Sequence, residues 1–521
     1  MKVYVIILFL ILNLSSKIIF ICGPFERIDA TALPDDTYLA LSLSKSIADG
    51  KGPITAAGYT NGFQPMYIFL CVPFYWAFDE DKIKPLYAAL IMLMLFDCLS
   101  LIMILNTVNL FTQNKYSIII SAVFWITSPY IVLTSMNGLE TIISFFFIAS
   151  SFFYFFKNRN NFSGKIGLKS LIVLGILCGL AMFARIDNII LTPVILLFII
   201  TDQIKNKKKY SQIAKSGLIY LCFVFLTILP WLIYSFIYTG EIIQSSGEAV
   251  HYQNWSLKNY FHFFSIGQLE VIVYGLRIIL IKNLSLILCC ILCAIILLFR
   301  KRIVNFEFLK KKFVNLLPLI LFCSLLFCSY VFYIYGMWFF KRYFFPFVFL
   351  FIIILSLFTD SVLKSFENSG TGKKFTIIIS VIFLIIHFTR YDFKELYVNN
   401  NYENNSGYRA IGEWVSQNFK EGTTIGTMQS GAIAYFADGI KVINIDGVVN
   451  KDALTAIKNK DLMGYVKKMK IDYLVGWDIN NEYLIRESVN FKNEDMTKVL
   501  TINDFKTWSR EWLVYKVNYN N

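Results

Sequence analysis

Histidine is almost missing from this 521-residue chain: His251, His262 and His387 are the only three, too scattered for the ligand spacing of a zinc site. Charge is scarce too. Asp, Glu, Lys and Arg make up 16% of the residues, against about 25% in a soluble domain. The polar C-terminal part has no cysteine. All ten (Cys22, Cys71, Cys98, Cys178, Cys222, Cys289, Cys290, Cys293, Cys323, Cys328) lie in or beside apolar stretches, the reverse of a secreted disulfide scaffold and the pattern of small buried apolar residues. No internal repeat occurs, and the Asn-rich tract at 399–405 is compositional drift. What the chain has instead is 56% hydrophobic residues, 50 Phe and 30 Tyr, with a mean hydropathy of +0.58. These values exclude a soluble enzyme, a disordered tail protein and a fibrous repeat. They leave a polytopic α-helical membrane protein.

The net charge of +14 is that of a nucleic-acid binder only if its placement is ignored. Much of the excess sits in short loops at 157–169, 205–215, 300–312 and 364–374, between apolar runs. That is where the positive-inside rule puts cytoplasmic loops, so no nucleic-acid partner is expected. Apolar runs near 3–22, 86–107, 116–134, 141–156, 171–185, 188–203, 217–238, 277–299, 314–335, 343–363 and 375–391 predict about eleven transmembrane helices. The first, with Lys2 ahead of it and Lys17 within it, reads as a retained helix rather than a cleaved signal. The aromatic run 65–78 holds Pro65 and Pro73; it is short for a span and suits a re-entrant or interfacial segment. If it does not cross, all Lys-rich loops fall on the cytoplasmic side and the C-terminus lies outside. The expected plan is a membrane domain over 1–391, with a long, acidic first outer loop at 23–85, followed by a small extracytoplasmic α/β domain over 392–521. In that domain TTIGTM, KVINID, DYLVGW and WLVYKV read as strands.

The first outer loop carries the chemistry-bearing residues. Asp35 and Asp36 follow Pro34 and open a run of helical period. They read either as caps of that helix or as a carboxylate pair in which one member deprotonates an acceptor hydroxyl. Adjacent carboxylates repel, which raises one pKa unless a cation or a metal neutralises them. Asp97, inside an apolar run, is a functional candidate by its depth alone. With no second charged residue expected at that depth, it reads as a protonated or hydrogen-bonded helix–helix contact.

Asp35, Asp36 and Tyr38, then Gly50 and Gly52, then Thr60, Asn61, Gly62, Phe63, Gln64 and Pro65 resemble the first outer loop of the bacterial integral-membrane glycosyltransferases of the GT-C fold. The similarity is to the branch related to protein O-mannosyltransferases, aminoarabinose transferases and mycobacterial arabinofuranosyltransferases. Asn137 to Thr141 resemble that branch's second short outer loop, and Ala184, Arg185 and Asp187 its Ala-Arg-x-Asp signature. Arg342, Tyr343 and Pro346 resemble its Arg-Tyr-x-x-Pro start; Gly431, Tyr435, Asp446, Gly447 and Asn450 its C-terminal pattern. Ser42 departs from it, standing where many relatives carry Arg.

The resemblance implies a hexosyl- or pentosyltransferase of the bacterial inner membrane. Its donor would be a polyprenyl-phosphate-linked sugar, and its acceptor a hydroxyl on a glycan, glycolipid or protein. Transfer would occur on the outer face with inversion, with Asp35 (or Asp36) as base. Arg185, Lys341 and Arg342 would meet the donor phosphate, since guanidinium forks match phosphate oxygens. Tyr38, Asn61, Gln64, Glu140, Asp187 and His251 are supporting candidates, and Asp35, Asp36 and Glu140 would be the ligands of a divalent cation if one is used. Blander readings stand beside these: an interfacial ion pair for Arg185 and Asp187, a membrane-interface anchor for Lys341 and Arg342, an exposed histidine for His251. Two other classes, a transporter or flippase for lipid-linked saccharides and a sugar-chain polymerase or ligase, fit less well. The first should gather its charges at the midplane, and the second leans on a late, basic outer loop.

Overall fold

The computed structural model describes residues 3–79, 81–159, 162, 165–257, 266–299, 306–366, 369–397, 407–507 and 510–519. Glu80, His262, the tract 399–405 and parts of the loops 157–169 and 300–312 lie outside them. Among the described residues, eight helices are long and apolar enough to cross a membrane, and ten if each of two bent pairs counts as one span. The expected span 116–134 is one of those pairs: Lys115–Thr127 and Pro129–Ser135 meet at 62°. Pro129 has no N–H to continue the helical ladder, so the chain turns at Ser128. The other is Ile266–Lys282 with Leu284–Phe299, bent by 76° around the buried Asn283. Pro65–Phe78 is a 14-residue helix with Pro65 in its first turn and Pro73 inside; it packs against Asp35–Ala48, Lys84–Thr112 and Lys165–Ala184.

Asp97 is not alone at its depth. Lys17 Nζ lies 3.1 Å from its Oδ2, and both side chains are fully buried. Asn13 sits between them, donating to Asp97 Oδ2 at 2.6 Å and accepting from Lys17 at 2.6 Å. Asp97 is thus the hydrogen-bonded helix–helix contact expected, but the expectation of no charged residue at that depth is wrong. Asp97 belongs to a 29-residue helix, Lys84–Thr112. At about 1.5 Å per residue it outruns the hydrocarbon core, so position within an apolar run is a poor gauge of depth. Lys17 lies near the end of Val3–Ile21, which packs across that helix.

The Lys-rich loops gather at one end of the bundle. Arg159 pairs with Asp202 at 2.6 Å and reaches Asn315, while Asn114 and Lys364 both meet Asp360. At the other end the segment from Asp35, the turn at 137–140, Arg185 and the turn before Phe347–Lys364 converge beneath the C-terminal region. There a five-stranded sheet runs in the order Lys441–Asn444, Thr424–Thr427, Tyr473–Trp477, Arg510–Val517, Met496–Thr507. The first three strands are parallel and the last two antiparallel. Met496–Thr507 carries register shifts and is not among the strands expected from sequence.

The sheet region is docked by ion pairs, Lys82–Asp438 at 2.6 Å and Lys451–Glu241 at 2.9 Å, and by a backbone approach that only glycine permits. A Cβ on Gly431 would stand 2.1 Å from the Asp35 carbonyl oxygen.

Breaking a buried ion pair by removing one partner costs about 3–5 kcal/mol, whereas replacing both by apolar groups is often neutral. Asp97→Ala is expected to lower the melting temperature in detergent markedly, and Lys17→Met with Asp97→Leu to recover most of the loss. A double variant no more stable than the single one would show that the pair is not the source of the penalty.

Candidate active site

The helix Asp35–Ala48 starts after Pro34, whose extended backbone (ψ 165°) turns the chain into it. Neither aspartate caps its own helix, so the capping expectation is not met. Asp35 serves another element: its Oδ2 accepts the N–H of Gly431 at 2.8 Å and its Oδ1 that of Ala432 at 2.9 Å. Asp36, one residue on, meets Arg342 Nη2 at 2.8 Å and remains 38% exposed. The adjacent charges are thus separated by opposite partners, backbone amides on one side and a guanidinium on the other, and the neutralising cation is an arginine.

A third carboxylate joins them. Asp446, in the turn after Lys441–Asn444, accepts the Val448 N–H at 2.8 Å and lies within electrostatic reach of both Asp35 and Asp36. That turn is wedged in place. Gln253 donates to the Asp446 carbonyl at 2.7 Å, and Ser245 donates to that of Val448 at 2.9 Å. Burial raises the Asp35 carboxyl to about 7, Asp36 and Asp446 adding to the rise and the two amides opposing it. Burial likewise raises Asp446 to about 7, against the pull of the Val448 amide and Asn444.

Arg185 anchors the membrane side of the site. Nη1 donates to Glu140 at 2.6 Å, Nε to Asp187 at 3.1 Å, and Nη2 to Asp187 and to the Tyr330 hydroxyl, each at 3.1 Å. Tyr330 donates to Asp187 in turn and stacks on Tyr343 with ring centroids 4.1 Å apart. Tyr343 lies under both cations, 4.9 Å from Arg185 and 5.5 Å from Arg342. The two arginines line one cleft with Thr141, Ser144, Tyr343 and Pro346. Glu140 is held there because the turn before it is locked: Thr37 donates to the Asn137 carbonyl at 2.9 Å, and Gly138, at φ +65°, packs against the Thr37 side chain.

Of the predicted site residues, the structure brings Asp35, Asp36, Glu140, Arg185, Asp187 and Arg342 together. Tyr38 is buried and spends its hydroxyl on Asp29 at 2.6 Å. Asn61 ties the loop to Ser235, the Ile243 carbonyl and the Ser245 amide. Gln64 accepts the Ile186 N–H at 3.2 Å, fixing the backbone next to Arg185. The Lys341 side chain is exposed and its carbonyl accepts from Tyr130. His251 engages the Tyr333 carbonyl and stacks on that ring. Among the described residues, no three of His, Cys, Asp and Glu are placed to hold a metal ion. Asp36 and Glu140, which would be ligands if a divalent cation were used, each already answer an arginine. Asp446 and Tyr330 were not among the predicted site residues. Asp446 stands in a motif that could have placed it; Tyr330 is one tyrosine in an apolar run, in a π-helical turn, Tyr330–Ile334, that nothing in the sequence announces.

Residues 395–515 match a family described as a domain of unknown function, DUF8728, and no curated protein matches the sequence. Solved structures do match. ArnT from Cupriavidus metallidurans bound to undecaprenyl phosphate superimposes with a TM-score of 0.59 at 12% identity, over 99% of this chain and 98% of that one. The Archaeoglobus fulgidus oligosaccharyltransferase in complex with zinc and sulfate gives 0.56 at 14%, over 90% and 68%. The same organism's AglB with an inhibitory peptide and a dolichol-phosphate gives 0.53 at 12%, over 91% and 69%. The likeness is one of fold: this chain has the GT-C fold of membrane glycosyltransferases.

Asp29, beneath the same interface, is raised to about 6 by burial against the pull of Tyr38 and the Arg409 and Tyr408 amides. Carboxyls whose folded pKa exceeds the unfolded value of 3.8 give stability that is full below that value and lost as pH climbs through about 6 to 7. Thermal stability in detergent should therefore fall between pH 5 and pH 8. Asp446→Asn should flatten the fall; an unchanged slope would mean that Asp446 ionises freely in the folded protein.

Proposed function

We propose that this chain is a membrane glycosyltransferase that moves a monosaccharide from a polyprenyl-phosphate donor to an acceptor hydroxyl at the membrane boundary beneath the C-terminal region. The observation that carries the reading is the junction at Arg342. A carboxylate pair suited to accept a proton meets, through one guanidinium, a cleft floored by a second arginine at the edge of the bundle. The isoprenoid ligands of the matched ArnT and AglB structures support a donor whose tail stays in the bilayer and whose phosphate reaches that cleft.

The chemistry follows from the charges. Asp35, held near neutrality in its proton affinity, takes the proton of the acceptor hydroxyl. The acceptor oxygen forms its bond to the anomeric carbon from the face opposite the phosphate. The bond from that carbon to the phosphate oxygen breaks, its electron pair stays on the phosphate, and the configuration inverts. Charge grows on the leaving phosphate, so cations preplaced beside it favour the transition state over the ground state. Arg342 is the direct phosphate ligand. Arg185, fully engaged with Glu140, Asp187 and Tyr330, acts through its field and through the ring of Tyr343. The C-terminal region faces the outside of a bacterial inner membrane in this reading, because the Lys-rich loops cluster at the opposite end. The sugar is a hexose or a pentose and the acceptor a glycan, glycolipid or protein hydroxyl.

A transporter reading would need an intramembrane charge open to a path, and Lys17–Asp97 is sealed by its own contacts.

Asp35→Asn is expected to lower transfer at least about 100-fold with the protein still folded in the membrane. In cells carrying it as the sole copy, a polyprenyl-phosphate monosaccharide should accumulate by lipid mass spectrometry. Lipid pools identical to the wild type would sink the reading. For orientation, Lys420→Cys, at an exposed position, should react with an impermeant maleimide on intact cells above the level of the parent chain; protection would reverse the topology.

A further inference from the structure

We propose that Arg342 changes partner during the cycle: it holds Asp36 until a donor arrives, then leaves it for the phosphate, so that Asp36 is released only when the donor is in place. The inference rests on the donor assigned above and adds an order to the reaction, donor before acceptor.

Four observations carry it. First, the two arginines differ in spare capacity. All three nitrogens of Arg185 are engaged, by Glu140, Asp187 and Tyr330. Arg342 meets Asp36 through Nη2, whereas its Nε is buried without a hydrogen-bond partner. A buried N–H left unpaired is unfavourable, and a phosphate oxygen is a partner that would relieve it. Second, the cleft between the arginines holds about 10 Å3, room for one water molecule and not for a phosphate. Something must move for a donor to enter. Third, the cheapest group to move is the Arg342 side chain, which is held by a single ion pair to Asp36. Arg342 stands in the four-residue helical turn Phe340–Tyr343, after a short 3-10 turn, Met337–Phe339, whereas Arg185 is pinned from three sides. Asp36 can accept the exchange because it is already 38% exposed, so water replaces the guanidinium there. Fourth, the charges compete. Three carboxylates, Asp36, Glu140 and Asp187, face two guanidinium groups, so an incoming phosphate gains a cation only by taking one from a carboxylate.

The exchange does work at the base. With Arg342 gone to the phosphate, the Asp36 charge stands uncompensated beside Asp35 and raises its proton affinity as the acceptor binds. It also orders the reaction, because Asp35 gains this extra proton affinity only after a donor has displaced the guanidinium from Asp36.

A binding cycle tests this with undecaprenyl phosphate alone, on the purified full-length chain in nanodiscs, so that neither sugar nor acceptor need be known. Wild type, Asp36→Asn, Arg342→Ala and the double variant are titrated by microscale thermophoresis, each first shown monodisperse. Arg342→Ala should bind about tenfold more weakly and Asp36→Asn about fivefold more tightly than wild type, because the competitor for Arg342 is gone. The deciding value is the double variant. Partner exchange requires that Asp36→Asn bring no gain once Arg342 is absent. A gain of equal size without Arg342 means simple relief of repulsion and overturns the exchange, as does an Asp36→Asn that binds no tighter than wild type. In both cases wild-type binding leaves the donor assignment standing. Binding by none of the four removes the donor assignment and the exchange together. If Arg342→Ala does not fold, Arg342→Gln completes the same cycle.

Discussion

The site depends on one contact: the Asp35 carboxylate laid across the backbone amides of Gly431 and Ala432. It joins the start of Asp35–Ala48 to the first turn of the helix Ser430–Phe436, almost four hundred positions later, and it fixes Asp35–Ala48 in rotation. In a helix, neighbouring residues point about 100° apart. Once Asp35 is turned toward the C-terminal region, Asp36 is therefore turned away from it, toward Arg342. Gly431 makes the approach possible and Thr37 locks the opposite side to Asn137. Three consecutive residues, Asp35, Asp36 and Thr37, thus set three different elements around the same point.

Electrostatics explains why the pieces are where they are. At a membrane boundary an isolated charge is costly, so each one must meet another. The chain solves this twice, with different outcomes. Lys17, Asn13 and Asp97 form a closed set with no solvent contact, which makes it a helix clamp rather than a site. At the other location five charges share a cleft with an excess of one carboxylate, and Arg342 keeps an unpaired nitrogen. Solvent access and an excess of carboxylate, not pairing alone, set this cluster apart from the sealed one, since Asp97 Oδ1 is also without a partner while Asp36 is partly exposed.

The sequence carried the site better than the scaffold. Pro34-Asp35-Asp36 stood out as adjacent carboxylates opening a helical run in the first outer loop, and Arg185 and Arg342 through motifs that resemble the GT-C branch and suit a phosphate. What could not be read was which partner each would choose. Capping was the local option for Asp35, but the amides of Gly431 and Ala432 displaced it. Asn61 and Tyr38 were supporting candidates because they match the resembling first-loop motif, yet both are consumed in tying segments together. The breaks at Ser128 and Asn283 were hidden in continuous hydropathy, which averages over the kink. Lys17 was misjudged because depth was counted along one helix when the partner lay on another. The strand Met496–Thr507 has register shifts that erase the alternation by which a strand is recognised.

At 11–14% identity over most of the chain, the shared architecture says where a site should be, and the side chains must say what it does. The architecture puts the paired arginines at one end of the bundle, and in the proposed reaction the side chains would supply what glycosyl transfer from a phosphate requires. These are a carboxyl whose proton affinity sits near neutrality, a guanidinium that can let go of its partner, and a second guanidinium that cannot. The C-terminal region is then more than a cover. It supplies the amides that hold Asp35 and, through Asp446, a charge that raises Asp35 toward neutrality. If that region were shifted, Asp35 would lose both its anchor and the neighbour that tunes it. If Asp35 is the base proposed above, whatever docks against the C-terminal region acts on it in this way, and an acceptor arriving from that side would meet a carboxylate already set to receive its proton.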